Sequence, residues 1–250
     1  MSAATAPDAS VVIPAKNEAE NLAGLIAEIH AAMEGRSYEI VIVDDGSTDE
    51  TPRLLAEWSR TDPLLVHFRH PSSLGRSAGV YTATRLARGA HVVTLDGDGQ
   101  NNPVYLPVML DKLSDPEVGL VAGQRLGRKD TWSKRWASKI ANAVRGWFLG
   151  DGTRDTGCGL KAFRRDAYLE LPYFETMHRF LPALFIADGW KVELVDVVDR
   201  PRWHGTSKYG NLERLLIGIP DLFGVAWVRR RRRRNPMALL RKRGQDGRTE

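Results

Sequence analysis

The stretch SVVIPAKNEAENLAGLIAEIHAAMEGRSYEIVIVDDGSTDE, residues 10–50, reads as a strand, a helix and a second strand. Residues 10–14 and 38–44 are β-branched and almost continuously apolar, which is typical of strands buried on both faces of a sheet. Between them, apolar residues recur at helical spacing, namely Leu22, Leu25, Ile26, Ile29 and Met33. The segment STDE (47–50) has the form of a capping box, with Ser47 as N-cap, and predicts a further helix over roughly 51–60.

The alternation of strand and helix continues beyond this stretch. Further strands are predicted at 64–68, 91–96, 118–123 and 191–199. Further helices are predicted over 77–89, ending at Gly89, from Pro103, over 131–150 with a stripe of tryptophans, and over 177–189, where Pro182 is expected to bend or break the helix. This order predicts an α/β fold with a mostly parallel central sheet and helices on both faces.

The basic charge of the chain is concentrated near its C-terminus. The net charge is +5, yet residues 229–243 hold nine Arg and Lys and no acid, so the other 27 basic residues face 31 acids and carry −4. This argues against a nucleic-acid-binding surface and for a local anchor on an anionic membrane. The single cysteine, Cys158, excludes an intramolecular disulfide, and the N-terminus lacks the pattern of a signal peptide.

Three polar clusters directly follow predicted strands: Lys16 to Glu18, Asp44–Asp45 and Asp96–Asp98. In parallel sheets, ligands bind beyond the carboxyl ends of the strands. Asp96 and Asp98 have two possible explanations, a turn that ends a strand or a site for a hard divalent cation, which prefers oxygen ligands. Each cluster alone could be only a turn or a helix cap, so the information lies in the spacing of the set.

The motifs VVIPAKNE, VDDGSTD and LDGDGQ, with AGQR (122–125), DTGCGLKAF (155–163) and RPRWHGTSKYG (200–210), resemble those of family 2 glycosyltransferases of the GT-A fold. The similarity is greatest to the branch of dolichyl-phosphate mannose synthases and bacterial polyprenyl-phosphate glycosyltransferases. It implies a metal-dependent inverting transferase that moves a sugar from a UDP- or GDP-sugar to a polyprenyl phosphate. Cys158 departs from the family pattern, in which serine is usual, and we expect it to be a packing residue.

The resemblance also implies roles for individual residues. Those implied to bind the nucleotide sugar are Pro14, Glu18, Val43, Asp44, Asp45, Asp96, Gly97, Asp98, Arg202 and Lys208. Asp98 and Gln100 would ligate Mg²⁺ or Mn²⁺, with Asp96 on the metal or on the ribose. Arg202 and Lys208 would close over the diphosphate, and Arg125 would meet the acceptor phosphate. Asp155 would act as a base or orient substrate; the implied catalytic set is Asp98, Arg125, Asp155, Arg202 and Lys208.

The expected organisation is a disordered tail over 1–9, a GT-A domain over 10–211, an amphipathic interfacial helix over 212–228 and a polybasic disordered tail over 229–250. Pro220 and three charged residues make the helix unsuitable to span a membrane. The protein is therefore expected in the cytoplasm, peripherally on the inner face of the cell membrane, by itself or docked on a separate integral membrane protein. Two alternatives stay open: a family 2 transferase with a polysaccharide or protein acceptor, and an inactive membrane-anchored binding module.

Overall fold

The computed structural model of the chain describes residues 6–126, 149, 150, 152, 153, 155–203 and 211–232, the side chains of 211–219 excepted. The strands are β1 Ala9–Ala15, β2 Tyr38–Asp44, β3 Leu65–Arg69, β4 His91–Thr94, β5 Val118–Arg125, β6 Lys161–Arg164 and β7 Lys191–Val197. The helices are α1 Ala19–Ala32, α2 Thr51–Thr61, α3 Arg76–Leu86, α4 Leu106–Lys112, α5 Arg165–Leu169, α6 Leu181–Ala187 and α7 Asn211–Arg232. Short 3₁₀ helices cover Pro103–Tyr105 and Met177–Arg179.

The seven strands form one sheet in the order β3-β2-β1-β4-β6-β5-β7. Every neighbouring pair is parallel except those of β6, which runs antiparallel to β4 and to β5. The carboxyl ends of β1, β2, β4, β5 and β7 therefore lie at one edge of the sheet, together with the start of β6. The α/β fold with a mostly parallel sheet is confirmed.

Successive strand residues pack into two apolar layers, one on each face of the sheet. Val11 and Ile13 face the layer formed with α1, α2 and α4, whereas Val12 faces the layer formed with α3, α5, α6 and α7. All five apolar positions predicted to line α1 or its C-cap are buried. Burial on both faces explains why these strands are continuous apolar runs rather than alternating ones.

Four details of the elements differ from the sequence prediction. Ser47 does not cap α2; its hydroxyl accepts from the backbone N–H of Asn17, and Asp49 accepts from Thr51 N–H at 3.0 Å. Helix α3 ends at Leu86 rather than Gly89. Pro182 lies in the first turn of α6 and begins that helix, because proline needs no intrahelical donor there. Helix α7 runs to Arg232, so the first four arginines of the basic run belong to the helix.

Candidate active site

The turn after β4 brings Asp96 and Asp98 to the edge where the parallel strands end. Asp96 pairs with Arg76 at the start of α3, with 2.6 Å between Oδ1 and Nη2. The Asn101 side chain accepts from the backbone N–H of Asp96 at 3.1 Å and closes the turn. Asp98 accepts from the backbone N–H of Gln100 at 3.1 Å, and its other oxygen is 2.7 Å from Arg202 Nη2. The two carboxylates of this turn thus pair with two arginines from other parts of the chain.

The environment of Asp98 disfavours its negative charge. Burial raises the pKa of this carboxyl group above its ordinary value, and the adjacent Asp96 charge raises it further, although Gln100 N–H and Arg202 act in the opposite direction. Within the described residues, no group of three or more His, Cys, Asp or Glu side chains is placed to hold a metal ion.

A second ion cluster forms at the end of β5. The Arg125 guanidinium donates to both oxygens of Asp155, at 2.5 and 2.9 Å, and lies 3.3 Å from Asp199. Burial works against the charged guanidinium, but the hydrogen bonds and charge of Asp155 outweigh it and raise the pKa of Arg125. Asn101 donates to Asp199 at 3.3 Å, so this cluster is linked to the turn that carries Asp96 and Asp98.

Gly159 and Lys161 lie beneath both clusters. A Cβ atom on Gly159 would come within 2.3 Å of Asp96 Oδ2, 2.5 Å of Asn101 Oδ1 and 2.8 Å of Arg76 Nη2, so a larger residue would displace these side-chain ends. Lys161 is buried and donates to the backbone carbonyls of Thr156 and Cys158. Burial lowers the pKa of Lys161 to about 8. Cys158 is buried as well, in agreement with the packing role expected for it.

The pair Asp44–Asp45, predicted to contact the nucleotide, is occupied by protein donors. Asp44 has no exposed surface and accepts from the backbone N–H of Ser47 at 2.9 Å. Asp45 accepts four hydrogen bonds of 2.7–2.9 Å, from His70, Ser73 and the backbone of Leu74 and Gly75. Burial alone would raise the pKa of Asp45, but these four donors outweigh it and lower the pKa. Asp45 thus holds the loop that leads into α3, whereas Asp44 holds the loop after β2 and lies 3.2 Å from Arg69 of β3.

The other residues predicted to contact the nucleotide have different surroundings. Val43 is fully buried in the layer on the α3 face, so its side chain belongs to the core. Pro14 is half-buried and contacts α3, where a Cβ on Gly79 would meet it at 2.8 Å. Glu18 precedes α1, accepts from Asn21 at 2.7 Å and lies against Gly97. Lys208, His204 and the tryptophan stripe over 132–147 lie outside the described residues.

Residues 10–171 match the family described as glycosyl transferase family 2. The chain belongs to this glycosyltransferase family. It is 32% identical to a dodecaprenyl-phosphate galacturonate synthase of Rhizobium johnstonii, over 88% of this chain and 67% of the relative. It is 32% identical to an undecaprenyl-phosphate 4-deoxy-4-formamido-L-arabinose transferase of Edwardsiella ictaluri, over 80% of this chain and 62% of the relative. The chain thus spans about two thirds of the length of these curated relatives.

Solved glycosyltransferase structures share the fold. A glucosyl-3-phosphoglycerate synthase of Mycobacterium tuberculosis, in complex with Mn²⁺, UDP and product, has a TM-score of 0.66 at 17% identity, over 89% of this chain and 80% of that chain. A mannosyltransferase of Pyrobaculum calidifontis, in complex with GDP-mannose and Mn²⁺, has a TM-score of 0.60 at 25% identity, over 83% and 59%. The GT-A architecture inferred from the motifs is therefore confirmed.

Several residues of this glycosyltransferase site were not identified from its sequence. They are Arg76, Asn101, Gly159, Lys161 and Asp199. A signal existed for Gly159 and Lys161, since both lie in DTGCGLKAF, and for Asn101, which follows DGDGQ directly. Arg76 carries no such signal, because its contact with Asp96 depends on how α3 packs beside β1. Gly99 makes room for the ring of Trp203.

Proposed function

We propose that this chain transfers a sugar from a nucleotide diphosphate to a polyprenyl phosphate. The observation that carries the proposal is the meeting of Asp98–Arg202 with Arg125–Asp155 at the carboxyl edge of the sheet. The carboxylates of such a site can accept hydrogen bonds from the nucleotide sugar or hold a cation. Its guanidinium groups are suited to binding phosphate. The names of the two curated relatives, both polyprenyl-phosphate sugar transferases, support the same acceptor class.

The turn at Asp96–Gln100 fits Mg²⁺ or Mn²⁺ as cofactor. Its two carboxylates are close enough for Asp96 to raise the pKa of Asp98, and a bound cation would relieve that repulsion. Asp96, Asp98 and Gln100 would supply oxygen ligands, which Mg²⁺ and Mn²⁺ prefer. When bound, the metal would neutralise charge on the leaving diphosphate. Mn²⁺ in both solved relatives supports this assignment.

The chain's own residues have separate roles in the proposed reaction. Arg202 lies on Asp98 and would transfer its hydrogen bonds to the departing diphosphate, with Lys208 as a second cation. Arg125 would receive the acceptor phosphate in place of the more distant Asp199. A phosphate monoester has a second pKa near ~6, so the acceptor is largely ionised at neutral pH and needs alignment more than a general base. Asp155, held by two hydrogen bonds to Arg125, would orient this arginine.

The acceptor also suggests where the protein acts. No helix within the described ranges is long and apolar enough to cross a membrane. Helix α7 nevertheless exposes Phe223 and Trp227, followed by the exposed Arg230 and Arg231. Aromatic rings beside arginines suit the surface of an anionic bilayer. We therefore propose peripheral binding at the cytoplasmic face of the membrane, where a polyprenyl phosphate would be available.

The proposal is tested by screening UDP- and GDP-sugars against a short-chain polyprenyl phosphate, with Mg²⁺ or Mn²⁺. We expect transfer with one donor, and we expect Asp98→Ala to abolish both transfer and metal-dependent nucleotide binding. Asp115→Ala is the matched control, because that carboxylate pairs with Lys191 before β5 begins and lies away from the site. Near wild-type turnover of Asp98→Ala in chelator-treated buffer would refute the metal role. Transfer only to polysaccharide or protein, or no nucleotide binding at all, would favour the alternatives.

A further inference from the structure

Arg200 joins three separate parts of the molecule just before Arg202. Its guanidinium donates to both carboxylate oxygens of Glu28 on α1, at 2.9 and 2.8 Å. It also donates to the backbone carbonyl of Gly99 at 3.1 Å. The backbone N–H of Arg200 donates to the carbonyl of Gln100 at 2.9 Å. The segment after β7 is therefore bonded directly to the turn that carries Asp98.

The ring of Trp203 packs against Arg200, the same turn and α1. The Arg200 guanidinium lies 5.0 Å from the centre of the Trp203 ring, within the range of a cation–π contact. A Cβ on Gly99 would come within 2.8 Å of the same ring, and one on Gly24 of α1 within 3.0 Å. Gly99 has φ of 73°, so the turn and the ring both require glycine here. We call Glu28, Gly99, Arg200 and Trp203 the Arg200 clamp.

The Arg200 clamp differs from an ordinary surface ion pair. Arg36 and Asp111 also form a two-bond pair, at 2.8 and 3.1 Å, but they contact nothing of the site. Arg200 is more buried than Arg36, and it is bonded to the backbone carbonyls of the two residues that directly follow Asp98 in the catalytic turn. Arg202 lies between the two clamp residues Arg200 and Trp203 in the chain, so fixing both neighbours restricts where its guanidinium can go.

We propose that Arg200 is a positioning residue that holds Arg202 against Asp98, ready to meet the leaving diphosphate. This inference rests on the proposed function. Because Arg202 would act mainly on charge that develops in the transition state, loosening the clamp should reduce turnover more than it weakens binding of the nucleotide. Glu28 and Trp203 then act through Arg200, and none of the three touches the substrate.

The test measures three quantities on the full chain: affinity for UDP and GDP with MnCl₂ by calorimetry, kcat at saturating donor, and the midpoint of thermal unfolding. We expect Arg200→Met to lower kcat by about 10- to 100-fold, as for small displacements of a catalytic group. We expect its nucleotide Kd to change by less than about threefold. Arg200→Lys should fall between, since lysine keeps the charge over Trp203 but cannot bond Glu28 and Gly99 together.

Two further variants separate positioning from stability. Glu28→Gln leaves Arg200 over Trp203, so it should fold and lower kcat in the same direction, with little further loss when combined with Arg200→Met. Arg36→Met removes a comparable ion pair and should leave kcat unchanged. The inference would be overturned if Arg200→Met and Glu28→Gln had the same kcat as Arg36→Met. The proposed function would remain intact in that case. A wild-type protein that binds neither nucleotide would overturn both.

Discussion

Gly159 lies directly against three polar side chains of the site. Its α-carbon faces Asp96, Asn101 and Arg76, and a methyl group there would lie within 3.0 Å of all three. A side-chain end that moved aside would stretch a contact of the site, because Asp96 pairs with Arg76 and its backbone N–H is held by Asn101. Glycine at this position therefore serves the shape of the turn that carries Asp96 and Asp98, and not the flexibility of the backbone.

Gly159→Ala should weaken binding of UDP or GDP with Mn²⁺ by about tenfold or more and lower stability by about 1–3 kcal/mol, as overpacking does. Calorimetry and denaturant unfolding measure the two effects. Gly224→Ala is the control, since nothing lies within 4 Å of its added Cβ. It lies in a helix and should be neutral or slightly stabilising. Equal nucleotide affinity in both variants would show that the site accommodates the methyl group.

Lys161 gives the protein a pH dependence of stability that can be isolated. Its folded pKa is about 8, against 10.5 in the unfolded chain, because burial disfavours the ammonium. Between these values the unfolded chain binds a proton that the folded protein has lost, so the free energy of unfolding rises with pH. Relative to Lys161→Met, the wild type should gain on the order of 2 kcal/mol between pH 7.5 and 9.5. Denaturant unfolding at both pH values measures this; parallel curves would contradict it.

For single residues, the sequence motifs predicted which side chains lie at the site. They did not predict the contacts that depend on how the elements pack. Asp98 lies at the sheet edge as its position after a strand predicted, and Arg125, Asp155 and Arg202, named from the family motifs, lie at the same edge. The saturation of Asp45 by four donors was not predictable, since three of them come from a loop nearly 30 residues away. Val43 could not be distinguished from a ligand contact by its motif, yet strand alternation turns it into the core.

Helix α7 is the element in which the prediction and the structure differ most. A charge run suggested a solvated tail from residue 229, but Arg232 donates to both oxygens of Asp188, at 2.6 and 2.8 Å, and Asp188 is only 1% exposed. Val225 of the same helix is buried in the apolar layer on the α3 face of the sheet. Composition shows charge but not which faces of a helix point inward, and here Arg229 and Arg232 are partly buried whereas Arg230 and Arg231 between them are exposed.

Arg232→Ala should therefore destabilise the protein by about 1–3 kcal/mol, because it removes two hydrogen bonds to a buried carboxylate. Arg231→Ala removes the same charge from an exposed position whose aromatic contact is Trp227, at 5.7 Å, and should change stability by less than about 0.5 kcal/mol. Denaturant unfolding of the two variants compares them directly. If their stabilities are equal, the Arg232–Asp188 pair does not hold α7 on the domain.

For the whole molecule, the asymmetry of charge predicts how it associates with lipid. Residues 233–243 contain five of the nine clustered Arg and Lys, and the helix before them ends in bonds to the domain. Removing 233–250, rather than cutting at 229, should leave turnover on a short, water-soluble acceptor unchanged. It should weaken binding to anionic vesicles, where each basic residue contributes on the order of 1 kcal/mol.

Vesicle co-sedimentation at rising salt measures this effect, with neutral vesicles as the control. The intact protein should detach as salt increases, because charge attraction is screened over about 8 Å at physiological ionic strength. Any fraction that resists salt reports on Phe223 and Trp227 of α7. Truncated and intact proteins that bind equally well, at low and high salt, would place the anchor elsewhere.

The reversed direction of β6 has a consequence for how such an enzyme can change. Strand β5 ends at the site edge with Arg125, and β6 starts at the same edge with Lys161, paired to Ala122. The connection between them leaves and returns at one place, where Arg125 bonds Asp155. Among the described residues between Arg125 and Lys161, none belongs to a strand of the sheet, so β5 and β6 are joined at this edge without a crossover among the described strands. We therefore expect substitutions around Asp155 to alter the proposed acceptor side of the site while leaving the pairing of the parallel strands that hold Asp44 and Asp96 intact.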